Sequence, residues 1–287
     1  MNPNSANPFS NMTTVVKNII IINIAMLLIT FIAEETMGYN LTQVLGLHNT
    51  SSEHFRPYQF ITHLFMHGGL MHLFFNMFSL YMFGRILELP QVWGSKRFFT
   101  YYFITGLGAA VLHLIVTNIE FSSIQTAADH FLNSPTPDMF QQFLEKNVFS
   151  GSSGLLSSNT DNKKPLYDFI YEWSSDKNNV EYIQTAKYYV QTYVSHRADI
   201  PVVGASGAVY GVLLAFGMLF PNVELMLLFP PIPIKAKYMV MVFGAIELFS
   251  GLNSAAGDNI AHFAHLGGMI FGFILIKIWQ KEKQNFR

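Results

Sequence analysis

The chain has 287 residues, 51% of them hydrophobic and only 12% charged, with a mean hydropathy of +0.28. A soluble domain is about a quarter charged, so long blocks here have been cleared of charge, as in membrane proteins. A net charge of −1 argues against a nucleic-acid partner, and the absence of cysteine leaves no disulfide to hold an exposed loop.

A membrane span takes about 17–25 apolar residues. Six stretches approach that, at about 15–33, 69–87, 98–118, 202–220, 237–252 and 259–279. The first has no small-x-small cleavage pattern in the following "FIAEETMG", so it reads as a span rather than a cleavable signal. Residues 34–68 are mixed, and "HFRPYQFITHLFMHGG" is expected to lie along the outer leaflet. After the third span comes a long segment with two amphipathic helical pieces. "DMFQQFLEKNVF" carries Met139, Phe140, Phe143, Leu144 and Val148 at helical spacing, and "NNVEYIQTAKYYVQTYV" carries Ile183, Ala186, Val190 and Val194. The intervening "SGSSGLLSSNTDNKKP" reads as a flexible linker. The fifth span is the weakest, being short and holding Glu247, since a charge at mid-bilayer costs about 2.5–3.5 kcal/mol on insertion scales.

Six spans put both termini on one side. Ten of the 17 Lys and Arg residues fall in that side's segments, and Arg56 alone falls in the short loops opposite, so the termini are expected in the cytoplasm. The expected organisation is a cytoplasmic tail over 1–14, membrane helices 1–3 over 15–118, an extracytoplasmic insertion over 119–200, helices 4–6 over 201–280, and a tail over 281–287.

The informative residues are polar groups at membrane depth, which are costly there. Span 2 contains "HLFFNMF", with His72 and Asn76 four apart on one helix face. Span 4 opens with "GASG", so Ser206 stands between Gly204 and Gly207. Span 6 contains "AHFAHLGGMIFG", with His262 and His265. A serine hydroxyl becomes a nucleophile when a base takes its proton, and His265 is the natural base. Gly207 and Gly211 in span 4, and Gly268 and Gly272 in span 6, are each four apart and permit close helix approach. His72, Asn76 and the Ser206 N–H can serve a developing oxyanion. Helix packing explains any one of these residues taken alone, and explains all of them together much less well.

At these residues the chain resembles the rhomboid intramembrane serine proteases. The matching motifs are "HLFFN" for H-x-x-x-N, "GASG" for G-x-S-G and "AHLGGMIFG" for A-H-x-x-G-x-x-x-G, in order and on separate spans. The resemblance implies a six-helix all-α membrane bundle; the long insertion between helices 3 and 4 departs from it, since many members have a much shorter connection there. The resemblance implies Ser206 as nucleophile, His265 as base, and His72 and Asn76 as oxyanion residues. Tyr210 resembles the family residue that packs on the catalytic histidine, and His262, lacking glycines at +3 and +7, is a supporting neighbour. "GRILE", Gly84 to Glu88, resembles the structural motif after span 2. The chain departs from the family where many members have Trp-Arg, offering Tyr58 and Gln59 instead.

The resemblance further implies cleavage of transmembrane protein substrates in a lipid bilayer, without metal or other cofactor, and a bacterial plasma membrane is the expected setting. Three alternatives fit the residues less well. A metal enzyme would use the pairs His63/His67 and His262/His265, but no HExxH is present. A transporter would use Glu247 and the histidines, but needs no glycine-flanked serine. An inactive rhomboid-like protein that binds membrane clients typically loses the serine or the histidine, and this chain keeps both.

Overall fold

The structure, a computed structural model, describes residues 12–149, 160–226, 232–253 and 261–285. Helix α1 (Thr14–Met37) buries one stripe, including Val16, Ile19, Ile20 and Asn23, and leaves Ile21, Leu28 and Phe31 exposed, as a lipid-facing helix does. Its N-terminus is held from below. Glu88 is 1% exposed, and its carboxylate accepts the N–H groups of Val15 (2.8 Å) and Val16 (2.9 Å) and the Ser95 hydroxyl (2.6 Å). An anion there satisfies orphan amides and complements the helix dipole. The "GRILE" stretch thus anchors the first helix.

The first connection contains α2 (Leu41–Leu45), α3 (Gln59–Thr62) and a 3₁₀ turn (His63–Phe65). Gln59 organises it. The side chain is fully buried; Oε1 accepts from the backbone of His48 and Arg56, and Nε2 donates to the carbonyls of Val44 and His54. The next rod is α4 (Leu70–Ser79), a π-helical stretch (Leu80–Gly84) and α5 (Arg85–Leu87).

Helix α6 (Gly94–Asn133) runs 40 residues and passes through the boundary expected at 118. At 1.5 Å per residue it is about 60 Å long, roughly twice a bilayer's hydrocarbon core. The apolar run weakens at Asn118 and Glu120, but Phe121, Ile124, Ala128 and Phe131 continue the helical period and are buried. Ile124, Ala128 and Phe131 pack with α7 (Pro137–Phe143), the π turn after it (Leu144–Phe149), α8 (Thr160–Ser175) and α9 (Val180–Ala198) in a second core around the fully buried Trp173. Two amphipathic pieces were expected here and three helices are present besides the end of α6. Of the expected linker, residues 150–159 lie outside the described residues. "TDNKKP" is instead the start of α8, which includes Pro165. The helix absorbs that proline within its first two turns because Leu166, Phe169, Ile170 and Trp173 pack on the second core.

The chain returns through α10 (Ser206–Leu219), a short hairpin of β1 (Glu224–Met226) and β2 (Pro233–Lys235) paired antiparallel, then α11 (Ala236–Asn253) and α12 (His262–Asn285). Helices α6, α10 and α12 form the centre. A Cβ on Gly268 would lie 1.8 Å from the Gly207 carbonyl oxygen, so α10 and α12 touch backbone to backbone there. The second glycines of the two pairs do something else. Gly211 abuts Thr105 and Gly272 abuts the Tyr101 hydroxyl, so both admit α6.

Among the described residues, four helices are long and apolar enough to cross a membrane: Thr14–Met37, Leu70–Leu87, Gly94–Asn133 and His262–Glu282. Helix α10 is apolar but 14 residues long, and α11 carries Glu247.

Candidate active site

Ser206 is the first residue of α10, and the strand leading into it is pinned on both sides. Leu47 and Val202 exchange both backbone hydrogen bonds at 2.9 Å, and the Gly204 N–H donates to the His63 carbonyl at 2.9 Å. Gly204 has φ +126°, a conformation that side chains rarely adopt, and a Cβ there would stand 2.8 Å from the His72 ring. Glycine is required at this position for both reasons. The first-turn N–H groups of α10 have no intrahelical acceptor and carry the positive end of the helix dipole.

From α12, His265 brings Nε2 to 2.8 Å from the Ser206 Oγ. Tyr210, one turn beyond Ser206, stacks flat on the His265 ring, with centroids 4.2 Å apart and planes 7° from parallel. The backbone contact of Gly207 with Gly268 brings the two helices close enough for this pairing.

On α4, the Asn76 amide is buried, and one of its N–H groups donates to the His72 carbonyl at 2.9 Å. His72 Nδ1 accepts from the Gly68 N–H at 3.3 Å. A neutral imidazole that accepts at Nδ1 carries its hydrogen on Nε2, and that nitrogen faces Gly204 and Ser206. His72, Asn76, Ser206, Tyr210 and His265 all line one cavity of about 850 Å³. Its wall continues into the second core's territory through Ile124 and Arg197.

Glu247 lies against the same cluster. Its Oε1 accepts from the Tyr210 hydroxyl, and its Oε2 is 2.6 Å from His262 Nδ1 and 3.0 Å from His265 Nδ1. The second of these is a close charge contact rather than an aligned hydrogen bond, because the oxygen lies off the axis along which Nδ1–H would donate. The sequence marks Glu247 as a costly charge in span 5 and as a residue a transporter would use, but gives it no part beside Ser206 and His265. The signal was its cost at that depth; which partners it met depended on how α11 turns. His113, on α6, also lines the cavity without having been singled out. The donor atoms of Glu247, His262 and His265 lie within 4.8 Å of one another, close enough to share a cation, although the 2.6 Å contact to His262 is an ordinary hydrogen-bond separation. The other histidine pair is separated in role: His63 Nδ1 is 2.7 Å from the Gln59 carbonyl, while the buried His67 ring lies edge-on to His72.

A helical membrane protein with a serine–histidine contact in the wall of a largely apolar cavity is the class that this structure defines. The chain belongs to the rhomboid family: the family model described as the Rhomboid domain matches residues 54–127 and 182–281, leaving out 128–181, where α7 and α8 lie. It is similar to rhomboid-like protein 15 of Arabidopsis thaliana, at 31% identity over 97 residues, 33% of this chain and 24% of that protein. It is similar also to a mitochondrial rhomboid protein of Schizosaccharomyces pombe, at 33% identity over 114 residues, 37% of this chain and 28% of that protein. The chain thus spans about a quarter of the length of these curated relatives. Both are eukaryotic and one is named mitochondrial, a different setting from the bacterial plasma membrane expected from the sequence. Family membership brings an intramembrane-protease type of fold and, with the apolar helices, an integral membrane protein.

Proposed function

We propose that this protein is an intramembrane serine endopeptidase that cleaves transmembrane protein substrates. The observation that carries the proposal is the 2.8 Å contact between Ser206 Oγ and His265 Nε2 inside a cavity also lined by His72 and Asn76. In the proposed topology six helices cross the membrane, with α10 and α11 as the short and the charged member. Both termini lie on the cytoplasmic side, and the segment from the outer end of α6 to α9 lies opposite.

The chemistry follows from the positions. The Ser206 hydroxyl passes its proton to His265 Nε2 as Oγ bonds to the scissile carbonyl carbon. Negative charge moves to the carbonyl oxygen, where the Ser206 N–H, His72 Nε2–H and the second N–H of Asn76 are the available donors. His265 then gives its proton to the leaving amine, and the C–N bond breaks. Water enters through the cavity, loses a proton to His265 and hydrolyses the acyl ester, restoring Ser206.

Two measurements test this. A fluorophosphonate is expected to label Ser206 in detergent-solubilised protein, and a model transmembrane substrate is expected to be cleaved in liposomes. Ser206→Ala and His265→Ala are expected to abolish both while remaining folded. A folded wild-type protein that neither labels nor cleaves would favour the client-binding alternative.

A further inference from the structure

We infer that Glu247 is a positioning residue for His265, so that the site works as Ser206–His265–Glu247 rather than as a serine–histidine pair alone. The inference rests on the protease reading above and assigns the carboxylate a task within it.

A carboxylate at membrane depth is costly and persists only where partners compensate it. Glu247 is 6% exposed, and the polar contacts found for it all converge on the proposed machinery. Oε1 takes the hydroxyl of Tyr210, whose ring lies flat on the His265 imidazole. That bond fixes the ring that covers one face of the base. Oε2 lies at the imidazole edge remote from Ser206, 3.0 Å from Nδ1. His262, one turn earlier on α12, holds the same oxygen at 2.6 Å and keeps the carboxylate from swinging away.

The position matters because the base must present a bare Nε2 to the serine. In a neutral imidazole that puts the hydrogen on Nδ1. A carboxylate oxygen beside Nδ1 favours that tautomer over the reverse. When the Ser206 proton reaches Nε2 the ring becomes a cation, and the adjacent anion stabilises it more than it stabilises the neutral ring. Glu247 takes no proton in this step: the proton that moves passes from Oγ to Nε2. The off-axis geometry at rest becomes aligned by a small rotation of the ring about its χ2 bond; such bonds often tighten only when substrate is bound.

Glu247→Gln keeps the size of the side chain and an acceptor for Tyr210 but removes the charge. Losing the carboxylate of an in-line triad costs about 10⁴ in kcat, and the off-axis contact here leads us to expect about 10- to 100-fold. The fluorophosphonate rate constant per labellable site is expected to fall by that factor, with kcat falling in parallel and KM changing by less than about twofold. The final amount labelled per folded molecule is expected to stay at the wild-type level. A variant with the wild-type rate constant and only a reduced final amount would mean that Glu247 serves the fold alone, and would overturn the inference. If Glu247→Gln does not fold, nitrogen NMR of ¹⁵N-histidine wild-type protein decides instead. The His265 signal, identified by its loss in His265→Ala, is expected to show hydrogen on Nδ1 and none on Nε2; the opposite tautomer overturns the inference. A wild type that fails to label removes the protease reading and this inference together. A labelling wild type beside an equally fast Glu247→Gln removes the inference alone.

Discussion

Gly268→Ala tests how far the site depends on backbone contact between α10 and α12. The added methyl would lie 1.8 Å from the Gly207 carbonyl oxygen and 2.7 Å from its carbon, where real Cβ contacts do not fall below 3.0 Å. The obstacle is backbone, so α12 must retreat by at least 1.2 Å, the shortfall between those two distances. His265 is three residues away on the same helix, and its bond to Ser206 is 2.8 Å. A rigid retreat stretches that bond to as much as about 4 Å, beyond hydrogen-bond reach. Misplacing a reacting group by about 1 Å can cost on the order of 10² in rate. Gly272→Ala is the control. Its methyl meets the Tyr101 hydroxyl at 2.3 Å, a side-chain rather than a backbone obstacle, one turn further from His265 than Gly268 is. The assay is the fluorophosphonate rate constant per folded molecule in detergent, with thermal unfolding followed in parallel. Gly268→Ala is expected to lose on the order of 100-fold and Gly272→Ala less than about tenfold. Equal rates in Gly268→Ala and wild type, or a larger loss in Gly272→Ala, would refute the reasoning.

Asn76→Ala is expected to lower kcat by up to about 10²-fold, less than the loss of a whole oxyanion site because His72 and a backbone donor remain, with KM nearly unchanged; Michaelis kinetics on a model substrate check it. His262→Ala leaves the proposed base in place and only loosens Glu247, so a loss of about tenfold or less is expected, against complete loss in His265→Ala. Glu88→Ala strands the N–H groups of Val15 and Val16. A destabilisation of about 1–3 kcal/mol is expected in detergent unfolding, with Ser206 labelling intact in the folded fraction. Arg197→Ala changes the part of the cavity wall that α9 supplies and touches none of the proposed catalytic groups in any hydrogen bond described; KM for protein substrates is expected to shift by about three- to tenfold, while labelling changes by less than about twofold.

The centre of the site was legible because polar groups at membrane depth are few and stand in short motifs. Ser206, His265, His72 and Asn76 could be picked out from "GASG", "AHLGG" and "HLFFN", and the structure brings them to one cavity. Their partners were less legible, because partnership depends on helix rotation. Glu247 was visible as a cost, but nothing in one sequence shows that α11 turns it toward α12. Tyr58 and Gln59 stood out only as a departure from Trp-Arg, while the many bonds of Gln59 depend on loop geometry that has no period to read. Helix α8 was hidden by the glycines and serines before it and by Pro165 within it, and the second half of α6 by the polar residues at its middle.

The unbroken course of α6 has a mechanical consequence. Its first half carries Ala109 against Gly207 and Thr105 against Gly211, and its second half carries residues of the second core around Trp173. No loop separates the two halves. Over a lever arm of about 30 Å, half the helix, a tilt of about 2° displaces the far end by roughly 1 Å. A load on α7, α8 or α9 therefore arrives at the wall beside Ser206 as strain in a stiff rod rather than being dissipated in a hinge. Pulling, crowding or docking at that end is felt where the serine and histidine meet.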